Sequence, residues 1–315
     1  ATSTRSRRQL ALRVVESYYS RVADERSIEI IEDDLAASRE AAKLARRKYE
    51  AGLIPEVEAL QLEVEVVQKE TELTGALSNH AALLDRFRNL LGVQLDRELR
   101  LVEQPAFGTY EVDVDSAVRL ALERRMDLLQ ADYDLKQADY DLRDAKRPWV
   151  PRAEVSAFYT LDKRDNNFSE ALASRIGDYA TNRGVALTLT LPLVSGGRRS
   201  TQVQQAMIGM RRRQFDREQL RKEVVLEVRQ AVRDLEETRK RYQGTRRSLQ
   251  IAETSYDMTR DRFENGQVTA RVWIEAQLTL KRNRISALRA LIDHTLAIAR
   301  YKLAIGEDIA SRPAG

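Results

Sequence analysis

Apolar residues recur every three or four positions over most of the chain. Leu12, Val15, Tyr19 and Val22 begin such a stripe, which predicts that residues 8–51 form an amphipathic helix. Gly52 and Pro55 interrupt it, because Gly favours a turn and Pro suits the first positions of a new helix. Similar stripes predict further helices over residues 56–91, 114–124, 198–264 and about 269–305.

A regular heptad predicts one more helix in the middle of the chain. Leu128, Leu135 and Leu142 repeat every seven residues, and alanines stand between them at positions 131, 138 and 145. Small alanines on such a seam allow a neighbouring helix to approach closely. Pro148 and Pro151 then end the helix.

Two segments change to a period of two, which is typical of β-strands. They cover residues 152–160 and 185–194, and the polar residues 161–183 between them are predicted to form a long solvated loop. One face of the second strand is wholly apolar. That pattern fits a half-buried strand of a soluble protein. It also fits a barrel strand with lipid outside and water inside, which needs about 9–11 residues.

The chain also repeats itself over a long distance. The turn Tyr-Glu-Ala-Gly-Leu-Ile around Gly52 returns 214 positions later as Phe-Glu-Asn-Gly-Gln-Val around Gly266. The same offset, without a gap, relates His80 to His294 and Gly92 to Gly306. Each copy is a long helix, a Gly turn and a second long helix. Two such hairpins indicate an elongated, pseudo-symmetric protein and not a compact enzyme.

Composition argues against several classes of function. The chain has no Cys, which excludes disulfides, Cys-based zinc sites and thiol catalysis. Its 53 basic and 49 acidic residues are interspersed, so the surface is solvated and no nucleic-acid partner is expected. Two histidines supply no plausible catalytic triad, and no Gly-rich phosphate loop occurs. We therefore expect no enzymatic activity, no cofactor and no metal site.

Several stretches together resemble the TolC-like outer-membrane efflux channels. That family has a long helix, a Gly turn and a second long helix, twice, with a strand pair between the copies. The order and spacing of the stretches are specific, and the match covers nearly all 315 residues. The stretches are residues 49–59 and 263–276 at the turns, Arg125-Met126-Asp127-Leu128 with the heptad to Pro148-Trp149-Val150-Pro151, residues 191–197, and the helix ends at 89–93 and 303–307.

The resemblance implies a fold and a division of the chain. We expect a mainly α-helical protein with a membrane β-hairpin, in which long antiparallel hairpins belong to an α-barrel. Family members usually carry two more helices and a first strand pair, so the chain resembles an N-terminally truncated protomer. The expected parts are a first hairpin (1–92), an equatorial region with a helix (93–147), a strand pair with an extracellular loop (148–197), a second hairpin (198–306) and a tail (307–315).

The resemblance also implies a function and partners. The protein would be a passive exit duct of a tripartite efflux pump or type I secretion system, located in the outer membrane and extending into the periplasm. It would form a homotrimer in contact with outer-membrane lipid, a periplasmic adaptor protein and an inner-membrane pump. The alternative is a soluble coiled-coil scaffold or an adaptor helical-hairpin protein. That alternative explains the helices but not the strand pair, and the sequence does not identify the cargo.

Particular residues receive roles from the same resemblance. The two Gly turns would form the periplasmic tip, where the adaptor docks. Arg271 and Glu275 would line the narrow entrance, where a threefold ring of carboxylates concentrates cations. The first copy has Gln61 in place of Glu275. The tip residues are Gly52, Leu53, Gly266, Gln267 and Val268, and the residues expected to face lipid are Val185, Leu187, Leu189, Leu191 and Leu193.

Overall fold

The computed structural model describes residues 2–94, 96, 107, 108, 110, 112–147, 152–162, 180–190 and 197–307. Its elements are long helices and one pair of strands. In chain order they are α1 (Thr2–Glu50), α2 (Glu56–Leu91), α3 (Val114–Arg124), α4 (Met126–Lys146), β1 (Arg152–Asp162), β2 (Ala180–Thr190), α5 (Arg198–Glu264) and α6 (Ala270–Ala304).

The predicted helices are confirmed, with one boundary moved. Helix α1 already includes Thr2, six positions before the predicted start at residue 8. Residues 2–7 carry no apolar stripe, but they also contain no Gly or Pro that would end a helix. Leu99 and Leu101 alternate with charged Glu98 and Arg100, which predicts a short strand around residues 98–102, but this segment lies outside the described residues.

The strand pair is antiparallel, with Val155 opposite Leu187 and Ala157 opposite Val185. The predicted boundaries of β2 were wrong, because β2 begins at Ala180 and not at residue 185. Residues 181–184 are polar or small, yet they pair in register with residues 158–161. Continued backbone pairing therefore extends both strands into the sequence predicted as loop, where side-chain alternation had given no signal.

The chain divides into two compact units. The first combines the described residues of 1–130 and 219–315. Within it, α1 and α2 form a hairpin against which α6 packs. One core cluster joins Val228 and Leu235 of α5 to Tyr301 of α6 and to Ala117 and Ala121 of α3. The long helices thus bury their apolar stripes against one another, which is the usual source of helix stability in proteins.

The second unit covers the described residues of 131–218. It contains most of α4, the strand pair and the first part of α5. Asp132 on α4 forms an ion pair with Arg217 on α5. At the other end of α4, the Arg199 guanidinium donates to the carbonyl oxygens of Lys146 and Arg147, at 3.1 and 2.9 Å. The arginine thereby satisfies carbonyl groups that a helix end leaves without partners.

Candidate functional site

The two Gly turns have the same local geometry. Gly52 and Gly266 adopt φ angles of 68° and 72°, in the left-handed region. Each donates its N–H to the carbonyl three residues back, and the next residue donates to the carbonyl five residues back. This pair of bonds is the Schellman motif, which ends a helix and reverses the chain. The sequence repeat is therefore also a repeat of hydrogen bonds.

The turns lie beside each other in the first unit. The Lys48 ammonium, just before the first turn, donates to the carbonyl oxygen of Phe263, just before the second, at 2.6 Å. The Phe263 ring stacks on Trp273 at a centroid distance of 5.8 Å. Both belong to a cluster with Ala45 and Leu62 of the first hairpin. The two hairpins therefore pack side by side here, with Gly52 and Gly266 at the same end of the first unit, as a common tip requires.

The predicted tip residues differ in exposure. Leu53 and Gln267 are exposed, and so are the two glycines. Val268 is half-buried and packs against the cluster around Phe263 and Trp273. Four of the five residues predicted to meet an adaptor are thus accessible to one, whereas Val268 also supports the turn.

Arg271 and Glu275 line a groove between α2 and α6, close to the turns. The groove has a volume of ≈ 450 Å³, and its other walls are Val57, Leu60, Gln61, Val64 and Ile274. Gln61 and Glu275, which the repeat relates, therefore line the same groove. Both Arg271 and Glu275 are exposed, so their charged groups are accessible from the groove.

From Ala153 to Ala157, the strand pair separates apolar from polar side chains, whereas further along Arg183 lies on the apolar face and Phe158 on the polar face. Val185, Leu187 and Leu189 lie on one face and are 68–75% exposed. Directly opposite residues of an antiparallel pair share a face, so Val155 and Ala157 extend this apolar surface. Glu154 and Thr188 lie on the other face. Leu191 and Leu193, also predicted to face lipid, lie outside the described residues.

A buried charged network escaped the sequence analysis. The Lys69 ammonium of α2 donates to the Asp34 carboxylate of α1 at 2.5 Å, and the Lys281 ammonium of α6 lies 3.4 Å from the same carboxylate. All three side chains are buried. Burial alone would lower the pKa of Lys69, but its bonds to Asp34 and Glu65 raise it above the ordinary value.

The sequence did contain a signal for this network. Ile31, Asp34, Ser38, Ala41 and Ala45 follow one another at spacings of three and four, so Asp34 and Ser38 continue an apolar stripe. A charged residue inside such a stripe indicates a buried ion pair, since a lone buried charge is costly. The partner on α6 is more than 200 positions away and cannot be found from spacing.

The two histidines occupy repeat-equivalent contacts with different chemistry. His80 Nδ1 lies 2.7 Å from the Asp24 carboxylate, and His294 Nδ1 lies 3.2 Å from the Thr238 hydroxyl. Each partner precedes its histidine by 56 positions. His294 is only 1% exposed, and its Nε2 lies 3.1 Å from the Gly108 carbonyl oxygen. Each histidine thus joins the two arms of its own hairpin, and no group of metal-ligating side chains occurs among the described residues.

The described helices include none that is long and apolar enough to span a membrane. The surfaces singled out by the sequence analysis are the tip, the groove and the apolar face of the strand pair. Each is an exposed surface without a set of catalytic groups.

Comparison with solved structures identifies the fold. A membrane protein from Pseudomonas aeruginosa has a TM-score of 0.73 and 19% identity over 98% of this chain and 68% of its own. The outer membrane protein VceC of Vibrio cholerae has a TM-score of 0.70 and 20% identity, over 98% of this chain and 72% of its own. The CmeC outer membrane channel of Campylobacter jejuni has a TM-score of 0.70 and 15% identity, over 97% of this chain and 64% of its own. At these identities the likeness shows the fold.

The sequence itself supplies the family. Residues 117–307 match the model of the outer membrane efflux proteins, which is more than half of the chain. No curated protein matches the sequence. Proteins of that family are channels and not enzymes. The mainly helical fold with its antiparallel strand pair is the fold of such channels. The chain therefore belongs to the outer membrane efflux protein family.

Proposed function

We propose that the protein is the passive exit duct of a tripartite efflux pump or type I secretion system. In this function the strand pair contributes to a barrel in the outer membrane, and the hairpins extend into the periplasm. Energy comes from an inner-membrane pump, since the duct itself has no nucleotide site in its sequence. Family membership supports the channel, and the surfaces of the chain support the finer assignment.

The observation that carries the proposal is the apolar face of the strand pair. Val155, Val185, Leu187 and Leu189 form a continuous surface that no described residue covers. Lipid is the environment in which such a surface is stable, while Glu154 and Thr188 on the other face suit a water-filled interior. Two strands cannot close a barrel by themselves, so strands from other copies must complete its wall. The proposal therefore includes a homotrimer.

The tip would receive the periplasmic adaptor. Leu53 is 73% exposed at the first turn, and Gln267 is exposed at the equivalent position of the second. The turns lie side by side, so a partner can contact both at once. Backbone groups at the turns are already satisfied by the Schellman bonds, and docking would therefore rest on these side chains.

The groove at Arg271 and Glu275 would act as the gate. In a trimer, three Glu275 carboxylates would face a common axis and raise the local concentration of cations. Val57, Leu60 and Val64 give the same groove apolar walls, which favour a narrow closed state. Glu275 therefore sets ion preference, and the apolar walls set how readily the duct closes.

The experiment is extraction and reconstitution of the protein from the outer membrane. We expect that detergent is needed, that the purified protein has the mass of a trimer, and that it forms conducting channels in planar bilayers. Arg in place of Leu189 should impair assembly by roughly 2–4 kcal/mol if the residue lies near the bilayer midplane, whereas Arg in place of Thr188 should be mild. Equal tolerance at both positions would contradict the membrane assignment.

A further inference from the structure

The first unit contains a contact between its two hairpins, which we name the in-chain junction. It is formed by Asp33, Asp34 and Ser38 of α1 with Gln277, Lys281 and Arg284 of α6. The Gln277 amide donates to the Ser38 hydroxyl at 3.0 Å, Lys281 lies 3.4 Å from Asp34, and Arg284 lies 3.8 Å from Asp33. The junction therefore uses one arm of each hairpin, α1 and α6. The other arms, α2 and α5, have corresponding faces that take no part in it.

The 214-position offset maps the in-chain junction onto those two remaining faces. The α1 positions 33 and 34 correspond to Arg247 and Ser248 of α5, and the α6 positions 281 and 284 correspond to Val67 and Glu70 of α2. All four side chains are exposed. Val67 is 61% exposed, and Ile251, one turn beyond Arg247 on α5, is 64% exposed. The positions that form the in-chain junction on α1 and α6 therefore correspond to exposed positions on α5 and α2.

The charges on these two faces are exchanged relative to the in-chain junction. Where Asp33 meets Arg284, the repeat places Arg247 and Glu70. Both members have changed sign, so an opposite-charge pair is retained. Where Asp34 meets Lys281, the repeat places the neutral residues Ser248 and Val67. Among the described residues Arg247 forms no ion pair, which leaves its charge available to a partner.

We propose that the α5 face of one chain packs against the α2 face of a second copy, with Arg247 opposite Glu70 and Ser248 opposite Val67. This inference rests on the proposed homotrimer and names the contact that closes it. A head-to-tail contact of this kind generates a ring when the rotation closes. In such a ring the in-chain junction and this between-chain junction alternate, and every long hairpin is covered on both sides.

The heights of the faces agree with this pairing. A ring keeps all turns at one end, so only surfaces at equal distances from the turns can meet. Val67 follows Gly52 by 15 positions, as Lys281 follows Gly266. Ser248 precedes Gly266 by 18 positions, as Asp34 precedes Gly52. Near the tip, Arg262 corresponds to Lys48 and would donate to the second copy's backbone at position 49, as Lys48 does to Phe263.

The exchanged charges also exclude wrong pairings between similar hairpins. If α1 packed on the α2 face of another copy, Asp33 would meet Glu70. If α5 packed on the α6 face, Arg247 would meet Arg284. Each wrong contact places like charges opposite each other. The free energy of this repulsion is larger than the stabilisation that a solvent-screened pair of opposite charges contributes. The charge pattern therefore selects alternating first and second hairpins by repulsion as well as attraction.

Cysteine cross-linking tests the contact, and the absence of native Cys makes the chain suitable. The variant V67C/S248C, purified in detergent and treated with a short bismaleimide, should give covalent dimers and trimers. Neither V67C nor S248C alone should cross-link, whereas a mixture of the two single variants assembled together should. The control is Q68C/S248C, because Gln68 is exposed but points about 100° away from Val67 around the helix.

Charge exchange supplies a second test that does not depend on a linker. R247E alone should reduce the trimer fraction at a fixed dilution roughly tenfold, and adding E70K should restore most of it. Glu70 also accepts a bond from Arg39 of its own chain at 2.7 Å. Arg39→Gln is therefore the control that disturbs only the in-chain pair, and it should leave the trimer fraction nearly unchanged.

The outcomes separate this inference from the proposed function. A trimeric mass without a V67C–S248C cross-link and without rescue by E70K would overturn the contact but leave the duct standing. Cross-linking of V67C alone would also overturn it, because that result requires two α2 faces to meet. A purely monomeric protein that forms no channels would overturn the proposed function itself.

Discussion

The two hairpins begin from the same plan and end in different environments. Their turns share the Schellman bonds, and their second arms, α2 and α6, have nearly equal lengths of 36 and 35 residues. Yet α6 buries fourteen side chains, whereas the equivalent α2 buries four. The reason is position, because α6 packs against the first hairpin and also against α3 and α5, while α2 keeps an uncovered face. Duplication therefore fixes local geometry, and burial follows from the neighbours.

Paired substitutions at equivalent positions measure that difference, and the largest effect is expected at Trp273. This side chain is fully buried beside Phe263, so Trp273→Ala should cost about 3–5 kcal/mol of stability. Its equivalent, Ala59, is buried but small, and Ala59→Gly should cost about 1 kcal/mol. Urea unfolding of the detergent-solubilised protein measures both. Equal losses would show that the two arms contribute equally to the core.

The next effect concerns the charged network. Asp34→Ala should cost about 3 kcal/mol, because Lys69 and Lys281 would remain buried without the carboxylate they share. The equivalent Ser248→Ala should change the free energy of unfolding by less than about 0.5 kcal/mol. The same unfolding measurement applies. A small loss with Asp34→Ala would mean that Glu65 and Glu72 alone satisfy the two lysines.

The histidines should differ by a smaller amount. His294→Ala removes a buried ring together with its contacts to Thr238 and Gly108, and should cost about 2 kcal/mol. His80→Ala removes a partly exposed contact with Asp24 and should cost less than about 1 kcal/mol. A larger loss at His80 than at His294 would show that burial does not set the difference between the two contacts.

The turn glycines should behave alike, in contrast to the arms. Gly52→Ala and Gly266→Ala should each cost about 1–2 kcal/mol, because an L-residue is strained at positive φ. No described atom lies near enough to obstruct a Cβ at either position, so the cost is conformational. A bulky residue at Gly266 should also abolish export while the strands still insert into the membrane. Loss of insertion would indicate a general folding defect.

The smallest effect on stability, but a functional one, is expected in the groove. Glu275→Ala should leave unfolding unchanged, because the side chain is exposed, and should weaken cation selectivity or loosen the closed state. Gln61→Ala, at the equivalent position of α2, should leave selectivity unchanged. Planar-bilayer recording compares the two variants. Identical selectivity and conductance in wild type and Glu275→Ala would leave Glu275 an ordinary surface carboxylate.

Sequence patterns predicted most of the helices because each depends on nearby residues. The stripes, the heptad and the Gly turns gave α2 and α5 their observed bounds, and the repeat predicted that Gly52 and Gly266 lie together. The start of β2 was missed because its first residues pair through backbone bonds and not through apolar alternation. The network of Asp34, Lys69 and Lys281 was missed because its members come from three helices.

The in-chain junction also has a consequence for the order of folding. The Asp34–Lys69 contact closes a loop of 35 positions, whereas the Ser38–Gln277 contact closes one of 239. The longer closure costs about 1.7 kcal/mol more in chain entropy. We expect the first hairpin to form early with its charges still hydrated, and the second to dock later, when those charges lose water. Pulsed hydrogen exchange during refolding should therefore protect the middle of α1 and α2 before that of α6.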